Sequence, residues 1–145
     1  MAEAAARGAS TGEVNVRLLP AADANADDLL QADAYIFVMA ENLAAIAGVM
    51  KDFFDRTYYA ALERINGRAY TLLVCAGSDG ANAVRQAERI CTGWRLRRAA
   101  ESIIVCTQAQ TPEKILAMKI IPPEALQGCE ETGAALAAGL ALGVF

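Results

Sequence analysis

Ala32-Asp33-Ala34-Tyr35-Ile36-Phe37-Val38-Met39 runs into Ala40-Glu41-Asn42-Leu43-Ala44-Ala45-Ile46-Ala47-Gly48, and then into Val49-Met50-Lys51-Asp52-Phe53-Phe54-Asp55-Arg56. The first part is a short apolar run with a β-branched and aromatic centre, which suits a strand buried on both faces of a parallel sheet. The last part has helical spacing. Ile46, Val49, Met50 and Phe53 fall at i, i+3, i+4 and i+7 and predict one apolar stripe. Lys51, Asp52, Asp55 and Arg56 fall on the opposite side. Between strand and helix lies a loop at the strand's carboxyl end, from Ala40 to Ala47. Open α/β sheets bind their ligands at such ends.

The rest of the chain repeats this alternation. Met1 to Ala9 reads as an Ala-rich helix. Val14, Val16 and Leu18 alternate within Glu13 to Leu19, which predicts a strand closed by Pro20. Asn25 or Asp27 can cap a short helix through Asp28-Leu29-Leu30. The helix of the opening stretch is expected to end near Leu62, and Asn66-Gly67-Arg68 is a turn. Ala69 to Ala76 is a second buried strand, followed by the loop Gly77-Ser78-Asp79-Gly80. A helix is expected from Asn82 to Trp94, with Val84, Ala87, Cys91 and Trp94 inward. Ser102 to Thr107 is the last clear strand. Pro122-Pro123 breaks any helix before a final one over Cys129 to Leu142. Strands alternating with helices define an α/β fold with a parallel sheet. No repeat or linker divides residues 1–145, so one domain is expected.

Composition narrows the chemistry. The chain is 55% hydrophobic and 21% charged, which fits a packed core. A net charge of −4 argues against nucleic acid or an anionic membrane as partner. There is no His, which removes the usual general base and the commonest metal ligand. Cys75, Cys91, Cys106 and Cys129 form no C-x-x-C pair, so no metal site is expected. Free thiols, and a Met1 start without a basic and then apolar leader, place the chain in a reducing cytoplasm. The apolar run from Thr132 to Phe145 is too short and Gly-rich to span a bilayer.

Several motifs carry a resemblance. Glu41-Asn42, then Gly48, then Lys51-Asp52-Phe53-Phe54-Asp55-Arg56-Thr57-Tyr58-Tyr59 resembles a branch of the flavodoxin-like family, the FMN-dependent NAD(P)H:quinone and FMN reductases. Ala76-Gly77-Ser78-Asp79-Gly80 is similar to that branch's second flavin loop. Gly128 to Gly133 and Leu136 to Leu140 are similar to its closing helix. The resemblance extends over nearly the whole chain from Leu29. It implies a flavodoxin-like three-layer α/β/α sandwich with a mostly parallel sheet of order 2-1-3-4-5. It implies FMN at the carboxyl edge, held by Glu41, Asn42, Leu43, Ala44, Gly77, Ser78, Asp79 and Gly80. NAD(P)H is then the implied electron donor, a quinone or similar molecule the acceptor, and a homo-oligomer the implied assembly. No side chain is expected to act as a catalytic group, because the flavin does the chemistry.

Two departures from the family pattern bear on that expectation. Family members begin with a strand and a Ser/Thr-rich phosphate loop, whereas Met1-Ala2-Glu3-Ala4 already lies in the helix that follows them. The flavin loop usually reads Pro-Glu-Asn-Phe-Gly-Tyr-Met-Ser-Gly, and here it is Ala40-Glu41-Asn42-Leu43-Ala44-Ala45-Ile46-Ala47-Gly48. A charge-assisted hydrogen bond contributes roughly 1.5–3 kcal/mol, so losing a phosphate cradle of about three costs on the order of 5 kcal/mol or more. That is at least about three decades of affinity. The sequence therefore predicts a weak or lost FMN site. The alternative is a non-catalytic flavodoxin-like module used for oligomerisation or partner binding.

For each motif a plainer role competes. Glu41 and Asn42 can be loop polar groups or helix caps. Gly77 to Gly80 can be a turn chosen for positive φ. Phe53, Phe54, Tyr58 and Tyr59 suit core and subunit interface. Cys75 and Cys106 end neighbouring strands as buried thiols. Arg95, Arg97 and Arg98 suit a solvated cluster more than a nicotinamide phosphate site.

Overall fold

The computed structural model describes residues 1–145. Its centre is the parallel pair formed by β1 (Ala34–Asn42) and β3 (Ala69–Ala76), registered from Ala34↔Ala69 to Ala40↔Cys75. On its other edge β3 pairs in parallel first with β4 (Arg97–Arg98) and then with β5 (Ile103–Cys106). Residues between them bulge, so that Ala69 faces Arg97 while Leu73 faces Ile103. Ala99 still donates to the Tyr70 carbonyl at 2.9 Å, which keeps the bulge on the sheet. The expected strand Ser102 to Thr107 is thus trimmed at both ends, and Ala69 to Ala76 is found as read.

Helices cover both faces, giving the three-layer sandwich. On one face lie α3 (Gly48–Ala61) and α4 (Ala81–Gly93). Here Tyr35, Phe37 and Met39 of β1 and Leu72 and Val74 of β3 pack on Phe53, Phe54, Ala83, Ala87 and Trp94. Trp94 caps α4, is fully buried and donates from Nε1 to the Tyr58 carbonyl at 2.9 Å. Tyr58 stacks on it at 5.6 Å. On the other face lie α1 (Ala2–Ala9) and α6 (Pro123–Ala141). Their contact is made of small residues. A Cβ on Gly8 would overlap the Glu130 carbonyl, and one on Gly133 the Ala5 carbonyl, so the two backbones touch.

The inward stripe of α3 differs from the sequence expectation. Met50, Phe53, Phe54, Thr57 and Ala61 are buried, while Val49 is half exposed and Ile46 lies outside the helix. Thr57 belongs in the stripe because its hydroxyl donates back to the Phe53 carbonyl at 2.6 Å. The charged side is as read, with Lys51–Asp55 and Asp52–Arg56 pairs one turn apart. Of the four aromatics read as core and subunit interface, Phe53 and Phe54 are core, and Tyr59 stands in solvent. The short helix α2 (Ala26–Gln31) starts on a capping box between Asn25 and Asp28. The final helix starts earlier than Cys129, because Pro123 sits in its first turn, where a missing N–H costs nothing.

The strand expected over Glu13 to Leu19 is absent. The segment is extended, and Val14 and Val16 are more buried than their neighbours, yet none of its backbone groups bonds to another backbone group. Between it and β1 runs a cavity of about 590 Å³. Side-chain alternation set the expectation, and alternation alone does not supply a neighbouring strand.

Candidate functional site

The expected loop from Ala40 to Ala47 is a β-hairpin. β1 runs on to Asn42, turns through Leu43 and Ala44, and returns as β2 (Ala45–Ile46) with Glu41↔Ile46 and Asn42↔Ala45 opposed. Leu43 and Ala44 have φ of 52° and 58°, the left-handed pair of a type I′ turn, although neither is the Asn or Gly that usually supplies it. Two side chains of α4 fasten the hairpin. Gln86 accepts from the Ile46 N–H at 3.1 Å, and Asn82 donates to the Ala44 carbonyl. Arg85 in turn donates to Asn82 at 2.6 Å.

The second candidate loop follows β3. Gly80 has φ 82°, and a Cβ there would run into Ile104 and Ala76, so only glycine fits. Gly77 and Ala109 are joined by a backbone bond of 3.1 Å. Ser78 and Asp79 are exposed, and their N–H groups donate to no backbone carbonyl. They sit just before the first turn of α4, where the free amides and helix dipole favour an acceptor.

Glu41 joins the two loops. Its Oε2 accepts from the Gly80 N–H at 2.9 Å, while Oε1 is buried and has no partner. A buried carboxylate oxygen left unpaired is costly, so this atom is poised for a donor. Asn42 is exposed beside it, and Leu43 and Ala44 stand at the hairpin tip with the Leu43 side chain wholly in solvent. The eight sequence-predicted residues thus fall on two adjacent loops at one edge. Only Glu41 and Gly80 touch each other through a hydrogen bond. None of the eight lines the cavity of about 590 Å³ between β1 and Glu13 to Leu19.

Sequence reading did not single out Asn82 or Gln86. Their signal was available, since both are polar and one helical turn apart on the helix after the glycine loop. Cys75 and Cys106 lie on paired strands and are both free thiols; burial pushes the Cys75 thiol up. Such a thiol is a poor nucleophile. The three arginines are engaged elsewhere: Arg95 with Glu63, Arg97 with the Val144 carbonyl, Arg98 with Glu88 and Glu101. No cluster of three or more metal-ligating side chains is present. No helix is long and apolar enough to cross a membrane.

A three-layer sandwich with a mostly parallel sheet and paired loops at its carboxyl edge belongs to the flavodoxin-like class. Within it the family is set by sequence. Residues 3–109 match the NADPH-dependent FMN reductase family, and the chain belongs to that family. In structure it is similar to a flavodoxin from the domain Archaea, with TM-score 0.75, 18% identity, and 96% of this chain and 87% of that one covered. It is also similar to oxidised Flavodoxin 1 from Bacillus cereus, with TM-score 0.73, 16% identity, and 94% and 86% covered. A flavodoxin, WrbA-like protein from Agrobacterium tumefaciens aligns with TM-score 0.65 and 17% identity over 97% and 87% of the two chains. At such identities the likeness is one of fold. None of the curated proteins matches the chain in sequence.

Proposed function

We propose that residues 1–145 form one flavin-type redox domain whose FMN site is weak, with an affinity no better than micromolar. The single observation that carries this reading is Glu41. One of its oxygens is held by Gly80, and the other is buried without a donor between the two loops. An isoalloxazine edge offers an N–H flanked by two carbonyl oxygens. Glu41 Oε1 suits the N–H, and the free Ser78 and Asp79 amides suit the carbonyls. Asn42, Leu43, Ala44 and Gly77 would border the ring. Bound FMN would supply hydride acceptance from a nicotinamide donor and onward reduction of a quinone-like acceptor. The protein's part is to orient the ring. Leu43 and Ala44 offer it no aromatic face to stack on, which forgoes roughly 0.5–1.5 kcal/mol per lost partner.

The test is titration of the protein with FMN, read by flavin fluorescence quenching, beside a Glu41→Ala variant. Removing a bond to a charged acceptor costs about 1.5–3 kcal/mol, so affinity should fall about tenfold to a hundredfold. Unchanged affinity in the variant would remove Glu41 from the site, and a nanomolar Kd for the parent would refute a weak one.

A second reading is favoured by Leu43 and Ala44 in the first loop, which give a flavin ring no aromatic face. In it the fold is kept as a non-catalytic module for oligomerisation or partner binding, and FMN does not bind at all. We also propose a homo-oligomer, now resting on Tyr59, which is 82% exposed on α3. Light scattering at micromolar concentration decides it, and a monomer there would end the proposal.

A further inference from the structure

Glu41 sits on a hairpin that does not hold itself. The turn residues Leu43 and Ala44 lie in the left-handed region, which neither side chain favours. β2 is only Ala45 and Ile46, at the end of the sheet. So short a pairing is marginal alone. Tyr35, Phe37 and Met39 of β1 pack toward α3 and α4, and by the period of a strand Glu41 points to that same face. The support for the hairpin comes from there too.

Bonded and non-bonded pairs alternate along an antiparallel ladder. The Ala47 N–H donates to the Ala40 carbonyl at 3.0 Å, so Glu41↔Ile46 is a non-bonded pair. The Ile46 N–H therefore points out of the hairpin, and Gln86 accepts it at 3.1 Å. At the tip, Asn82 Nδ2 donates to the Ala44 carbonyl. Arg85 donates to Asn82 Oδ1 at 2.6 Å, which leaves the amide nitrogen for Ala44. Gln86 thus works as an acceptor and Asn82 as a donor. The same helix also meets the carboxylate itself, because Gly80 is the N-cap of α4 and donates to Glu41 Oε2 at 2.9 Å. On an unfastened hairpin both carboxylate oxygens would turn to water. Here Oε1 stays buried without a partner.

We infer that Asn82 and Gln86 are positioning residues for Glu41. By pinning the hairpin to α4 they keep Oε1 between the two loops, facing a ligand N–H. The ligand rests on the flavin reading, whereas the pinning concerns only the protein's own atoms.

Amide hydrogen exchange of the full chain, without ligand, reads the pinning at the Gly80 N–H, whose acceptor is Glu41. Glu41→Ala should speed Gly80 exchange about tenfold or more, and Gln86→Ala and Asn82→Ala should each come close to that while β3 exchange stays unchanged. Gln86→Glu keeps an acceptor for Ile46 and should stay within about threefold of the parent. Asn82→Asp loses the donor to Ala44 and should behave like Asn82→Ala. Residues that merely stabilise α4 would not separate these two acidic variants. FMN titration by fluorescence quenching reads the consequence. Asn82→Ala and Gln86→Ala should each weaken FMN, yet add less than about twofold on top of Glu41→Ala, since the group they place is gone. Parental Gly80 exchange in both alanine variants would overturn the proposal. So would faster exchange throughout β3, or full additivity with Glu41→Ala. A parent that binds no FMN but shows the exchange pattern would end the flavin reading and support the pinning of Glu41.

Discussion

The two edges of β1 differ sharply. Toward β3, seven consecutive residues from Ala34 to Ala40 are registered against Ala69 to Cys75, and the strand they meet is buried at every position but Cys75. Away from β3, the same residues face a cavity, and the nearest extended segment forms no ladder. Yet Glu13 to Leu19 carries an alternation much like that of a strand. The difference teaches that side-chain pattern and backbone pairing are separate conditions. Val14 and Val16 line that cavity together with residues of α1 and α6 and are partly buried, while their backbone stays unpaired. The closed edge meets both conditions and the open edge only the first.

The largest expected effect is a contrast between the two sides. Trp94→Ala removes a buried ring packed on Phe37, Phe54 and Tyr58, together with its indole hydrogen bond. Loss of about 3–5 kcal/mol is expected by urea denaturation. Val16→Ala on the open side should cost less than about 1 kcal/mol, because the residue is partly exposed and its backbone is unpaired. Comparable losses would mean that Glu13 to Leu19 is better packed in solution than the cavity implies.

Alkaline pH probes the closed side. Burial raises the Tyr70 hydroxyl from 10.0 to about 12, and burial followed by the Glu88 charge raises the Cys91 thiol from 9.0. In both, the folded state keeps its proton longer than the unfolded state. Their stabilisation is therefore complete below about pH 9 and declines as pH rises, through about pH 12 for Tyr70. Urea midpoints that stay level from pH 9 to pH 11 would contradict the burial of both groups.

Much of this was legible beforehand. Tyr35-Ile36-Phe37-Val38 and Ala69 to Ala76 are local runs whose burial follows from their own composition, and both became core strands. Gly80 was legible as a positive-φ position, and Glu41 as a candidate because it follows a buried strand. What was not legible depends on distant partners. Ile46 and Val49 fit a helical period, but a hairpin fastened by Gln86 and Asn82 claims Ile46, and α3 starts only at Gly48 with Val49 outward. The bond from Gly80 to Glu41 spans two strands, so neither loop predicts it alone.

The smallest expected effect concerns β2, the one strand on the open edge of β1. Its turn is carried by Leu43 and Ala44 in the left-handed region, which costs an L-residue roughly 1–2 kcal/mol each. The Leu43 side chain is wholly exposed, so it recovers none of that cost by packing. The turn persists because α4 holds it from outside, through Gln86 on the Ile46 N–H and Asn82 on the Ala44 carbonyl. Both of those bonds engage main-chain atoms, so they survive a change of side chain in the turn. Leu43→Asn with Ala44→Gly installs the pair that type I′ geometry prefers. Glycine returns part of the gain through a more flexible unfolded chain, roughly 0.4–1 kcal/mol. A net stabilisation of about 1 kcal/mol remains, visible as a higher urea midpoint at unchanged slope. A lower midpoint would mean that Leu43 makes a contact in solution, and the place to look for it is a second copy or a partner docked on the open edge.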